Sequence, residues 1–204
     1  MFHKLIKSAA LALTLCSTLY GAVAQEQRVT EPYTRVVALQ PVQSVFGSQT
    51  ILQTRDGIQW QLDEQRSIGA VQDWRLNDRI VLYPVTRKNC FFSSKNSFAM
   101  KNLETGSLAF VKLSDGPAYE KSRTRWISDV DRSTRRFAVL SGNNNVAYYK
   151  VFEGDITEFF RWRINDFIII GSNKTPDAQM ECPCSRICVN TRTQTYIRVE
   201  LIKN

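Results

Sequence analysis

The chain has 204 residues, with 27 Lys and Arg against 19 Asp and Glu and a single histidine, His3. Its first 24 residues read as a leader carrying Lys4 and Lys7, so removing it leaves 180 residues with 25 basic and 19 acidic side chains, a charge of +6, and no histidine. A chain without histidine has no Ser-His or Cys-His nucleophile and no His-ligated catalytic zinc, which leaves carboxylates, Lys, Tyr and Cys as its possible catalysts.

In the leader, Lys4 and Lys7 precede an apolar run from Ala9 to Leu15, and the small-residue ending Ala22-Val23-Ala24 follows. That is the pattern of a secretory signal peptide, 1–24, with cleavage expected before Gln25. Lipid modification of Cys16 is the alternative, but Leu15 stands where such precursors carry a small residue. No other stretch reaches the ~20 apolar residues needed to span a bilayer, so no transmembrane segment is expected in the mature chain.

Residues 25–33 are a polar lead-in containing Pro32. Strands are then expected near 35–39, 49–54, 57–62, 79–84 and 107–113, with longer connections at 63–73 and 85–97. Asp56-Gly57 lies between two β-rich alternating runs, and an Asp-Gly pair so placed predicts a hairpin because both central residues tolerate positive φ. Further on, Trp74-Arg75-Leu76-Asn77-Asp78-Arg79-Ile80-Val81-Leu82 puts a Trp and an Asn-Asp turn ahead of a short apolar run suited to a buried strand. The Trp is expected to plug a barrel, since one large ring buries much area.

That block occurs twice. Eighty-eight positions later stands Trp162-Arg163-Ile164-Asn165-Asp166-Phe167-Ile168-Ile169-Ile170. At the same offset Asn102, Thr105, Val111 and Leu113 fall on Asn190, Thr193, Val199 and Leu201, Ile51-Leu52 on Val139-Leu140, Trp60 on Tyr148, and Arg55-Asp56-Gly57 on Asn143-Asn144-Asn145. A fixed period of this kind marks a duplicated unit. Trp74, Asn77, Asp78, Trp162, Asn165 and Asp166 are its structural signature. Ser114-Asp115-Gly116-Pro117 punctuates the chain and divides a first repeat, 25–114, from a second, 115–204. The second repeat is expected to hold strands at 125–130, 136–141, 146–151, 167–171 and 195–201, with a long connection at 172–186. Helical periodicity is not sustained anywhere, so the fold is expected to be all-β, two small five-stranded barrels in tandem.

The order aliphatic strand, Asp-Gly turn, strand with Trp, Trp–turn–aliphatic strand, final Val/Leu strand resembles the SH3-like barrel repeats of small secreted bacterial proteins. The resemblance covers both units and rests on Trp74/Asp78 and Trp162/Asp166. It implies a fold and a binding role and no catalytic residues. An OB-like barrel fits the same strand count.

After the leader the chain keeps Cys90, Cys182, Cys184 and Cys188. In an exported protein an even set of cysteines reads as a disulfide framework. Pro183 extends the chain between Cys182 and Cys184, so that pairing is the least expected; Cys90 with Cys182 or Cys184, and Cys188 with the other, is favoured. A thiolate metal site or a redox-responsive thiol near Arg186 is the alternative, but one arm of a zinc site would rest on Cys90 alone, and no metal or other cofactor is expected.

Lys121, Arg123, Arg125, Arg132, Arg135 and Arg136 crowd sixteen residues. They are a possible anion-binding face, or else a solvated segment whose charges keep an edge strand from pairing. Phe159-Phe160-Arg161-Trp162 and Phe91-Phe92 are aromatic clusters that either join the two barrels or line a peptide or glycan groove.

Duplication, leader and missing histidine together point to a non-enzymatic exported protein, a binding or structural module of the bacterial cell envelope, periplasmic or secreted. Its expected partner is an envelope protein, glycan or anionic lipid and not nucleic acid, because export removes that ligand and no RNA-binding aromatic signature is present. A disulfide-cross-linked or redox-sensitive structural protein is the alternative. A hydrolase using Asp63 and Glu64, or Glu153 and Asp155, is the remaining reading and would need paired carboxylates ~5–9.5 Å apart in a cleft.

Overall fold

A computed structural model of the protein describes residues 32–44, 47–85, 97–117, 123–174 and 182–203. The leader, Cys90, Phe91-Phe92 and Lys121 lie outside them. Within them the chain is all-β apart from short helical turns.

The first repeat forms β1 (Thr34–Ser44), β2 (Gly47–Thr54), β3 (Gln59–Leu62), a two-turn helix α1 (Glu64–Val71), β4 (Arg79–Pro84), β5 (Ser97–Asn102) and β6 (Leu108–Asp115). The strands close into a barrel in the order β1-β2-β3-β6-β5-β4, sealed where Thr34 and Arg35 pair with Ile80 and Arg79. Period-2 alternation explains the inner face: on β6, Ala109, Val111 and Leu113 are buried while Leu108 and Lys112 are exposed.

The second repeat forms β7 (Arg125–Asp131), β8 (Arg136–Ser141), β9 (Val146–Val151), a 3-10 turn (Glu153–Asp155) running into α2 (Ile156–Phe159), β10 (Ile168–Ser172), β11 (Arg186–Asn190) and β12 (Thr195–Lys203). These strands make a six-stranded sheet in the order β10-β11-β12-β9-β8-β7. Its two end strands approach through one bridge, Trp126 to Phe167. Ile127 N–H donates to Asp166 O at 3.0 Å and Asn165 N–H to Ile127 O at 2.8 Å, matching Val36 to Asp78 and Asn77 to Val36 at the barrel seam.

Each unit therefore has six strands where five are expected, and the additional one, β5 or β11, begins where a segment expected to be a connection ends. β11 shows why. Ile187, Cys188, Val189 and Asn190 are all buried, and a strand covered on both faces has no polar alternation to reveal it. Ile187 and Val189 join the first core, with Ile169 of β10, while Cys188 joins the second with Ile168. β10 and β11 are thus a wall between two cores.

The offset of 88 holds for the Trp blocks but not for the hairpins. Thr54 N–H bonds Ile58 O and Ser141 N–H bonds Asn145 O, both at 3.0 Å, so the turns correspond at 87. On the ladder to β6 and β12, Trp60 pairs with Leu113 and Tyr149 with Leu201, so Trp60 corresponds to Tyr149 and not to Tyr148. A one-residue slip exchanges the faces of a strand: Trp60 and Tyr149 are buried, and Tyr148 is 44% exposed. The turn itself keeps its chemistry, with Gly57 at φ 89° and Asn144 at φ 63°.

Trp60 fills the barrel against the edge of Phe98, centroids 5.8 Å apart, and Phe98 in turn meets Tyr196 of β12 at 6.1 Å. In the second unit Phe137, Tyr149, Phe159 and Trp162 pack on one another. Fully burying each such side chain contributes about 1.5–3 kcal/mol. The aromatic cluster from Phe159 to Trp162 is the end of α2 and a turn. Helical spacing puts Phe159 and Trp162 together inside and leaves Phe160 52% exposed.

Candidate functional site

The repeat signature is a hydrogen-bonded clasp made twice. Asp78 accepts from the Arg75 N–H at 2.9 Å and from Asn102 Nδ2 at 2.7 Å; Asp166 accepts from the Arg163 N–H at 2.8 Å and from Asn190 Nδ2 at 2.6 Å. The two buried Asn side chains then take backbone N–H bonds from Glu104 and Thr105, and from Arg192 and Thr193. Asn77 and Asn165 sit at φ 71° and 67° to make the turn. These residues tie the strand after the Trp to the turn after β5 or β11. Trp74 donates its indole N–H to Ser107 Oγ at 2.7 Å, whereas the Trp162 N–H has no protein partner. The copies differ in charge: Glu104 pairs with Arg79 at 2.8 Å, while Arg192 at the matching position pairs with Asp166 at 2.6 Å. Burial opposes the Asp166 charge, but Arg192, Asn190 and the Arg163 N–H outweigh it and hold the carboxyl below its usual range.

β4 and β10, equivalent strands of the two repeats, meet directly. A Cβ on Gly171 of β10 would stand 2.7 Å from Leu82 O and 2.8 Å from an Ile187 side-chain carbon. Beside that contact lies a cavity of about 520 Å³ between the barrel and the second sheet. Its floor is apolar, with Ile80, Leu82 and Met100 on one side and Val139, Ala147 and Ile169 on the other. Its polar lining includes Arg55 and Asp56 of the β2–β3 turn, Arg123 and Arg125 entering β7, Arg186 of β11, Tyr149 and Trp60, with Ser141, Asn143 and Asn145 of the second hairpin. Thr124 Oγ1 donates to Asp56 O at 3.2 Å and joins the first hairpin to the start of β7.

Four Arg side chains and one carboxylate thus line the cavity, and that carboxylate is buried. Burial pushes Asp56 above its ordinary value; the Thr54 hydroxyl, which donates to it, and the Arg125 charge act in the other direction without cancelling the effect. Tyr149 is pushed up to about 12, first by burial and then by Cys188 nearby. Two buried donors of the lining, Trp60 Nε1 and Arg186 Nε, have no hydrogen-bond partner.

The Arg-rich segment does not form one face. β7 pairs Arg125 with Ser141 at one end and Asp131 with Arg136 at the other, roughly 20 Å apart along the strand. Arg123 and Arg125 reach the cavity. At the far turn Arg132 donates to Trp162 O at 2.9 Å, Arg135 lies 3.6 Å from Glu153, and Arg136 is exposed. Arg55 and Arg186 complete the cationic set from other parts of the sequence, and only tertiary structure brings them in.

Among the cysteines, Cys182 and Cys184 form a disulfide, with Cα atoms 5.2 Å apart, and Cys188 is free and buried. This is the pairing least expected from the sequence; Cys90, on which the favoured pairings rest, lies outside the described residues. Pro183 extends the chain, but 5.2 Å lies inside the span a disulfide bridges, and the Cys184 N–H closes on Cys182 Sγ at 3.2 Å. Arg186 does favour a Cys188 thiolate, as does Arg125, but burial is the larger effect and pushes the thiol up. Of the carboxylates considered for hydrolysis, Asp155 binds Arg198 through both oxygens, at 2.7 Å and 2.8 Å, Glu153 is exposed and lies 3.6 Å from Arg135, and Asp63 precedes α1.

No family model, no curated protein and no solved structure matches this chain. Among the described residues no group of His, Cys, Asp and Glu is arranged to hold a metal ion, and no helix is long and apolar enough to cross a membrane.

Proposed function

We propose that this chain is an exported, non-enzymatic binding module of the bacterial cell envelope, two tandem SH3-like barrels that share a wall and hold a small ligand in the cavity between them. The cavity carries this reading. Its volume of about 520 Å³ lies within the range of small-molecule sites, and its largely polar lining, with guanidinium groups beside a few apolar side chains, suits a polar or charged ligand. Export is supported by the leader pattern of residues 1–24 and by the Cys182–Cys184 disulfide, a bond that persists in oxidising compartments. An envelope glycan, lipid fragment or peptide would reach such a site from the periplasm.

Native mass spectrometry of the protein recovered from the envelope fraction of its own cell tests this. The expected result is a chain beginning at Gln25 that carries a noncovalently bound small molecule. A full-length chain in the cytosol with nothing bound would overturn it.

A further inference from the structure

We infer that the cavity is an oxyanion site, which takes a small molecule bearing a phosphate or carboxylate group and grips that group with Arg125 and Arg186 inside and Arg55 and Arg123 at the rim. This rests on the reading of the cavity as the ligand site and names the chemistry it selects.

Charge is the first argument. Arg55 and Arg123 are exposed, while Arg125 and Arg186 are half-buried beside an apolar floor. None of the four makes an ion pair with another described residue. Guanidinium groups converging on a partly desolvated space repel one another and lose hydration, and a protein keeps them there at a cost unless an anion compensates. Asp56, the one carboxylate of the lining, is itself buried, and burial raises its pKa against the opposing Thr54 hydroxyl and Arg125 charge.

Unused donors are the second argument. Trp60 is 1% exposed and lines the cavity, and its indole N–H has no acceptor; neither has Arg186 Nε. Buried donors are nearly always paired, and an oxygen-rich anion supplies several acceptors at once. Guanidinium groups also match the geometry of carboxylate and phosphate oxygens, so Arg rather than Lys is the side chain such a site needs. The four come from three separate parts of the chain, the β2–β3 turn, the entry to β7, and β11, which is how a site is built and not how a solvated charge run is distributed.

The test is calorimetric titration of the full exported chain with glycerol 3-phosphate, with succinate and with glycerol, beside the variants Arg186→Gln, Arg123→Gln and Arg136→Gln. Saturable binding of at least one of the two anions is expected, with none of glycerol, and added salt should weaken it. Losing one charge-assisted contact should cost roughly tenfold in affinity or more in Arg186→Gln and Arg123→Gln, and nothing in Arg136→Gln at the far end of the hairpin. The two anions separate a phosphate-bearing ligand from a carboxylate. Where Arg186→Gln does not fold, Arg123→Gln on the exposed rim decides alone. Anion binding that survives the cavity variants would overturn the inference. So would an uncharged molecule found in the native protein that neither anion displaces, and that result would leave the cavity as a ligand site; an empty native protein that binds neither anion would remove both readings.

Discussion

Asn102 and Asn190 do more for this fold than their residue type suggests. Each is fully buried, donates to a carboxylate and accepts two backbone N–H bonds, so its amide satisfies a turn that apolar packing cannot. Asn190→Ala removes three bonds at once, one of them to a charged group. It should cost about 3 kcal/mol, lowering Tm by roughly 10 °C in a thermal melt; an unchanged melt would show the clasp to be incidental. Asp166 and Asp56 depend on pH in opposite ways. Asp166 is held below its usual range, so its stabilising effect is present above the unfolded-state value and is lost as pH falls through the folded one. Asp56 is raised by burial, so the folded state binds its proton more tightly and stability falls as pH rises from the unfolded value through the folded one. Asp56→Asn should therefore melt higher than the parent at pH 7, with the difference vanishing below about pH 4. A parent that melts higher at pH 7 would mean that Asp56 is ionised against Arg125.

The elements that matter most are β10 and β11, because they serve two cores with alternate residues. Ile187 and Val189 face one way and Cys188 the other, and Gly171 lets β10 come against the β4 backbone. A side chain there meets a carbonyl oxygen that cannot rotate aside. Gly171→Ala should cost about 1–3 kcal/mol, the usual range for overpacking, measured by urea unfolding. A matching Gly142→Ala in the exposed second hairpin should cost less. Equal losses would mean that the β4–β10 approach is looser than it stands. The hairpins β2–β3 and β8–β9 have equal spans, 47–62 and 136–151, but the slipped register puts Tyr149 where Trp60 stands in the first repeat, and both side chains line the cavity.

At the scale of the molecule, residues 31–204 make one compact unit, and the first core is completed by Ile169, Ile187 and Val189 of the second sheet, with Tyr196 against it. The first repeat does not complete its core alone, whereas the second core is built from residues of the second repeat. The chain from Gln25 onward should therefore unfold in a single transition, and a fragment ending at Asp115 should show no cooperative melt. Two resolved transitions in calorimetry would contradict that coupling. The cavity follows from the same arrangement, since it exists only where the two sheets face each other.

The sequence determined a good deal by itself. Local chemistry is written in neighbouring residues, so the Asp56-Gly57 hairpin, the duplicated Trp–Asn–Asp turn and the all-β class are legible directly. So is half of the cationic site, because Arg123 and Arg125 stand out in a crowded run. The rest depends on residues far apart in the chain. β11 escapes detection because a strand buried on both faces lacks the alternation that marks a strand, and β5 because Phe98, Ala99 and Met100 are buried in succession before the exposed Lys101, while the slipped register is set by pairing across the sheet. Arg55 and Arg186 look like an ordinary turn residue and a cysteine neighbour until the two sheets close. Only the tertiary structure decided that four guanidinium groups from three segments share one cavity, because convergence in space carries no signature along the chain.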